Sequence, residues 1–199
     1  MRHKSLYTFA VLGAVLALAS AGAQDIPAAT RGDLEVGGTI SIANPDLNGL
    51  IVGSNPPQNT TTQFIYGGSI YVNFNVTQHL GLTAQFDYPD VHTPQDFLEK
   101  SYMVGLRYYQ PIGFTKFAPY AKVLVGLGNT SYDKPVNWVL VNGVPGSYTA
   151  AAVGAGLDYR WHPKWVIRAF DVQYEDWLGF PGGAIHPYIV SVGIAYRIR

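Results

Sequence analysis

The sequence predicts an all-β chain, an eight-stranded antiparallel up-and-down transmembrane β-barrel. Three observations predict it: strict alternation in the last strand, a long–short rhythm of connections, and a composition rich in glycine and aromatics but poor in charge. In the last strand Tyr188, Val190, Val192, Ile194, Tyr196 and Ile198 share one parity, and Ser191, Gly193, Ala195 and Arg197 share the other. Period-two alternation gives a strand with one apolar and one small or polar face. The apolar face carries no charge and is fit to meet lipid.

Composition narrows the alternatives. Of 199 residues, enough for one domain, 13% are charged and 14% aromatic, with 22 Gly and 14 Tyr. That is unusual for a helical soluble enzyme and usual for a barrel with aromatic girdles. Cys is absent, which excludes disulfides, thiolate metal sites, a Cys nucleophile and lipid attachment at an N-terminal cysteine.

Residues 1–23 read as a signal peptide. Arg2, His3 and Lys4 form its basic start, Thr8 to Ala19 its apolar run, and Ala21-Gly22-Ala23 its small cleavage residues. The alternative is an uncleaved helix, for which the apolar run is short of the ~20 residues a span needs. Without Arg2 and Lys4 the chain keeps 11 basic against 13 acidic residues. A slightly acidic chain has no electrostatic reason to bind nucleic acid. Export with no later long apolar run leaves periplasm, exterior or outer membrane, and alternating barrel strands are invisible to hydropathy windows.

Residues 24–32 are a short polar, periplasmic lead-in, and the barrel is expected over 33–199. The first strand, 33–43, sets Leu34, Val36, Ile40 and Ile42 against Glu35, Thr39 and Ser41. The second, 63–76, sets Phe64, Tyr66, Ile70, Val72 and Phe74 outward, with Ser69, Tyr71, Asn73 and Asn75 inward. The third, 80–88, sets Leu82, Ala84, Phe86 and Tyr88 against Thr83, Gln85 and Asp87. The fourth, 100–110, sets Tyr102, Val104, Leu106 and Tyr108 against Ser101, Gly105 and Arg107. The fifth, 117–130, sets Val123, Val125 and Leu127 against Lys122, Gly126 and Gly128. The sixth, 148–160, sets Val153, Ala155, Leu157 and Tyr159 against Gly154, Gly156, Asp158 and Arg160. In the seventh, 165–177, Phe170, Val172 and Tyr174 oppose Asp171, Gln173 and Glu175, but Arg168 falls on the apolar parity. Either it snorkels at the membrane edge or a bulge shifts the register.

Long connections at 44–62, 89–99, 131–147 and 178–186 alternate with short ones at 77–79, 111–116 and 161–164. Outer-membrane barrels have long outer loops and short periplasmic turns. Outward aromatics near strand ends make two belts, with Phe64, Tyr66, Tyr88, Tyr102, Tyr174 and Tyr188 at the outer edge and Phe74, Tyr108, Tyr159 and Tyr196 at the inner. A soluble sandwich or lipocalin-like barrel gives similar alternation but puts its apolar parity inside and needs no aromatic belts.

Three segments carry a resemblance: Phe117 to Gly128, Ala152 to Arg160 continuing through Tyr174, and the terminal strand. They resemble the small bacterial outer-membrane β-barrel family that includes the OmpA transmembrane domain and OmpX-type proteins. The terminal strand also resembles the family's C-terminal assembly signal, on Ser191, Gly193, Tyr196 and Ile198, with Arg199 in place of the usual terminal Phe. The resemblance implies the cell outer membrane as location, with outer-membrane lipid and the barrel-assembly machinery as partners. No peptidoglycan-binding domain is expected after the barrel, and no cofactor. Closure without a free edge makes a monomer the expected state.

An eight-stranded barrel is about filled by its own side chains. Its inward parity supplies Glu35, Asp87, Asp158, Asp171 and Glu175 together with Arg107, Lys122, Arg160 and Arg197. Such charges should pair, because unpaired buried charge is expensive. Two readings stand: a salt-bridge plug that sets register, or a gated path in which re-pairing admits ions or small solutes. Glu35 and Arg197 are the expected pair closing the first strand on the eighth.

Catalysis and metal binding find little support. His186 and Ser191 are separated by an odd interval and point to opposite faces. His79, His92 and His162 fall in turns or loops, and Asp87, Asp90 and Asp96 lack ligand spacing. Trp138, Val139, Leu140 and Val141 in the third long loop either form an adhesive patch or extend the hairpin. The expected role is structural, supporting the envelope around a closed or narrow polar lumen; a small-solute or ion channel and a surface adhesin acting through the loops are the alternatives.

Overall fold

The computed structural model describes residues 31–44, 65–90, 97–110, 112, 116–132, 146–179 and 186–198. Eight strands follow in chain order: β1 (Leu34–Asn44), β2 (Ile65–Asn75), β3 (Leu80–Asp90), β4 (Phe97–Tyr109), β5 (Phe117–Tyr132), β6 (Gly146–His162), β7 (Trp165–Leu178) and β8 (Tyr188–Ile198). Each pairs antiparallel with its sequence neighbours, and β1 pairs with β8 to close the barrel. Closure leaves no strand edge unpaired. The expected signal peptide and lead-in up to residue 30 lie outside the described residues, as does the Trp138–Val141 segment.

Side chains alternate between lumen and exterior along the strands, broken in β7 by a bulge. The exterior is apolar: Ile40 is 71% exposed, and Ile70, Val104, Val123, Leu127 and Val190 are exposed with it. In water a belt of this size is a large penalty at about 25 cal/mol per Å². Against hydrocarbon the penalty disappears. The described residues contain no helix long and apolar enough to cross a membrane; a closed barrel with an apolar exterior is the other structure that can span one. Aromatics rim the belt. Phe86 stacks on Tyr102 at 4.7 Å toward the long-connection end, and Trp165 meets Tyr196 edge-on at 5.0 Å toward the short-turn end.

Several boundaries differ from expectation; β5, for example, runs to Tyr132 and β6 begins at Gly146, shortening the expected 131–147 connection. The connection expected at 89–99 is shorter, because β3 runs to Asp90 and β4 begins at Phe97. Pro89 still pairs with Gly67 on β2, while the β3–β4 ladder has already ended at Asp87 and Ser101. A proline is tolerated where one flank has no ladder to feed. Likewise Trp161 and His162 extend β6 rather than forming the turn.

β7 holds a bulge. Asp158 pairs with Arg168 and Leu157 with Phe170, so Ala169 is the extra residue on the β6 side; toward β8 the register slips between Arg168 and Asp171. The inserted residue reverses parity. Val166 and Arg168 point inward below it, and Asp171, Gln173, Glu175 and Trp177 point inward above it. Of the two readings of Arg168, the bulge holds: its side chain is in the lumen, 3% exposed.

Candidate functional site

The inward side chains stack in layers along the barrel axis. At the short-turn end β1 meets β8, and Arg197 donates from Nε at 3.0 Å and from Nη2 at 2.6 Å to Glu35 Oε1. Glu35 Oε2 accepts from Asn73 Nδ2 at 3.4 Å and from Tyr109 Oη at 3.5 Å. Asp33 Oδ2 lies 3.7 Å from Arg197 Nε. Glu35 is thus hydrogen-bonded on both oxygens, which a buried carboxylate requires.

The middle layer is a column of alternating guanidinium and tyrosine. Arg107 lies 4.3 Å from the Tyr109 ring centre and 3.5 Å from that of Tyr120. Arg168 lies 3.6 Å from the Tyr71 ring and 5.2 Å from Tyr120. Asp158 binds both cations, Arg107 through Nη2 and Arg168 through Nε at 3.4 Å. Asp171 accepts from the Tyr120 hydroxyl and pairs with Lys122 Nζ at 2.9 Å. Arg107 Nε and Nη1 have no hydrogen-bond partner among the described residues. The two tyrosine faces stand in for one, since a desolvated cation gains most from a π face.

Toward the long-connection end, two acids are held by neutral donors. Gln85 Nε2 donates to Asp87 at 2.7 and 3.0 Å, and Gln173 Nε2 to Glu175 at 2.6 Å. Ser101 Oγ is 3.0 Å from Asp87 and 3.5 Å from Glu175. Gln85 also donates to Gln173 at 3.1 Å and accepts from Lys122 at 3.0 Å. Trp177 Nε1 donates to Glu175 at 2.8 Å. Its ring belongs to an apolar cluster with Met103, Leu124, Ala150 and Ala152. Gly128 seats it, since a Cβ there would come within 2.5 Å of the indole.

Of the charges expected in the lumen, the structure brings together Glu35 with Arg197, Arg107 with Asp158, and Lys122 with Asp171. It gives Asp87 and Glu175 no cation within ion-pair distance among the described residues. Arg160 is half-buried within electrostatic reach of Arg197 and Glu35. Sequence reasoning left Arg168 open between membrane edge and lumen and did not name Asp33, Tyr109, Tyr120 or Trp177 as lumen residues. The spacings Gln85-x-Asp87 and Gln173-x-Glu175 on inward parity were the available signal for the amide-held acids.

In β8, Ser191 is buried inward and Tyr196 and Ile198 face outward. Gly193 faces inward where a Cβ would meet the Gly38 carbonyl oxygen at 2.2 Å. His186 stacks on Tyr174 and lies 3.4 Å from Asp176 at the outer side of β7, on the other face from Ser191. No group of three potential metal ligands occurs among the described residues.

The family profile described as outer membrane protein beta-barrel domain matches residues 10–197. No curated protein matches the chain. Among solved structures, the outer membrane protein OprG from Pseudomonas aeruginosa is similar at 17% identity and TM-score 0.60, over 88% of this chain and 100% of that one. Neisserial surface protein A is similar at 13% identity and TM-score 0.58, over 82% and 95%. Ail, the attachment invasion locus protein of Yersinia pestis, is similar at 18% identity and TM-score 0.52, over 85% and 100%. At these identities the likeness is one of fold. With the profile covering nearly the whole length, a closed eight-stranded barrel and an apolar exterior rimmed by aromatics, the chain belongs to the outer membrane protein beta-barrel family and resides in the bacterial outer membrane.

Proposed function

We propose that the protein is a structural element of the outer membrane, a monomeric, non-enzymatic barrel whose lumen is closed by its own side chains. The observation that carries this reading is the column Tyr109–Arg107–Tyr120–Arg168–Tyr71, cross-tied by Asp158. Its groups, like Trp177, Met103 and Leu124 above it, are nearly inaccessible to water. The C-terminal strand is the part offered to the barrel-assembly machinery, through Ser191, Gly193, Tyr196 and Ile198. Planar-bilayer recording of the refolded protein tests the closed lumen: the expected trace is flat, and steady unitary steps would replace this reading with a channel.

One observation favours the channel as second reading. Lys122 stands between Asp171 and the amide-held Asp87, and exchange between them would re-pair the lumen. An adhesin role rests on the Trp138–Val141 sequence; host-surface binding that disappears when residues 136–142 are deleted would support it.

A further inference from the structure

The short-turn rim between β5 and β8 has a composition the lumen does not explain. Lys116, His162 and Lys164 are exposed there. The Lys116 carbonyl accepts from Arg160 N at 2.9 Å and the Lys164 carbonyl from Arg197 N at 2.8 Å, so each lysine lies beside the strand end carrying a lumen arginine. Trp161, 60% exposed, and Trp165 continue this rim into the apolar belt. The described acids of this end, Asp33, Glu35 and Asp158, are all buried within the barrel. Among the described residues the rim is therefore cationic without a compensating surface acid. In contrast, the connections at the opposite end, residues 45–64, 91–96, 133–145 and 180–187, hold Asp46, Asp96 and Asp133 against Lys134.

We propose that this rim is a docking surface for anionic phospholipid headgroups of the periplasmic leaflet. Two arguments select that occupant. The rim is continuous with the bilayer-facing belt, so its lysines stand at headgroup depth, where indole rings also settle. An ammonium at that depth meets phosphate, and each basic side chain near an anionic membrane surface strengthens attraction. A zwitterionic headgroup offers the same phosphate with its charge cancelled, so the rim should discriminate between the two. The preference requires only the membrane placement, not the closed lumen.

The test uses the full mature barrel carrying Trp138→Phe, so that Trp161 and Trp165 report on lipid while Trp177 stays shielded in the lumen. Vesicles contain brominated phosphatidylglycerol in phosphatidylcholine, or brominated phosphatidylcholine at the same mole fraction in unbrominated phosphatidylcholine. Quenching should favour phosphatidylglycerol, by roughly fivefold in relative affinity per lysine, and high salt should collapse the preference. The double variant Lys116→Gln, Lys164→Gln should bring the ratio close to one while keeping its heat-shifted gel band. Equal quenching by the two lipids in the parent barrel would overturn the proposal without any variant. So would a lipid preference that the double variant retains. Co-sedimentation with peptidoglycan that needs the lysines, with no lipid preference, would assign the rim to the cell wall instead.

Discussion

Glu35 and Arg197 face each other across the seam that closes the barrel, 2.6 Å apart on paired positions of β1 and β8. They are 162 residues apart in sequence, and both are buried. Arg197→Glu would place three carboxylates, with Asp33, where one guanidinium now satisfies two. Breaking a buried pair by removing one partner costs about 3–5 kcal/mol. The variant should lose its heat-resistant gel band at a clearly lower temperature than the parent, and the exchange Glu35→Arg with Arg197→Glu should recover part of the loss. An unchanged transition would show that the seam does not depend on this pair.

Tyr120 is the central rung of the lumen column, with Arg107 and Arg168 against its ring and its hydroxyl on Asp171. Tyr120→Phe keeps both stacking contacts and removes one hydrogen bond to a charged group, a cost of about 1.5–3 kcal/mol. Tyr120→Ala also strips the guanidiniums of a π face worth about 2 kcal/mol when desolvated and leaves space for water. The expected order of thermal stability is parent, Phe, Ala. Bilayer recordings should show current only for the Ala variant. Silence from the Ala variant would mean that the layers above and below close the lumen without the column.

The bulge at Ala169 decides which way Arg168 points. Deleting Ala169 leaves only Phe170 between Arg168 and Asp171, so simple alternation keeps Arg168 and the Asp171–Trp177 set inward without a bulge. That deletion should refold into detergent or vesicles. Deleting Ala169 and Phe170 together makes Arg168 and Asp171 adjacent, so that one of them must face lipid. A single arginine on the lipid face costs about 2–4 kcal/mol at mid-bilayer, and its lumen partners Asp158 and Asp171 lose a cation as well. The double deletion should fail to refold; its normal refolding, read by heat modifiability and β-rich circular dichroism, would contradict the assigned register.

The same bulge shows where legibility in the sequence stops. Alternation in β1 and β8 reads directly because each residue's face follows from its parity. In β7 one inserted residue reverses parity, and nothing in Ile167-Arg168-Ala169-Phe170 says which residue is extra. Tandem Tyr108 and Tyr109 look alike in composition, yet one is exposed and the other lies in the lumen over Arg107. Trp177 shares the inward parity of Glu175, but nothing in the sequence says that Gly128 on β5 lies beneath its ring. Counting lumen charges led to an expectation of pairing throughout. For Asp87 and Glu175, amides two residues back on the same face, Gln85 and Gln173, fill that role, a short-range solution that a tally of charges does not see.

Gly193 separates structural need from recognition in the terminal strand. A Cβ at this position would meet the Gly38 carbonyl oxygen at 2.2 Å and Thr39 Cγ2 at 2.7 Å, both on β1. The backbone contact cannot be relieved by a rotamer change, so even Gly193→Ala should push β8 away from β1, and Gly193→Val should do so further. If the glycine serves closure, purified variants will refold poorly in detergent with no cellular factor present, Val worse than Ala. If it serves only as a mark read by the assembly machinery, both will refold like the parent in detergent and fail only in cells. The close approach of β1 and β8 predicts failure in both settings, and normal refolding in detergent would leave Gly193 to recognition alone.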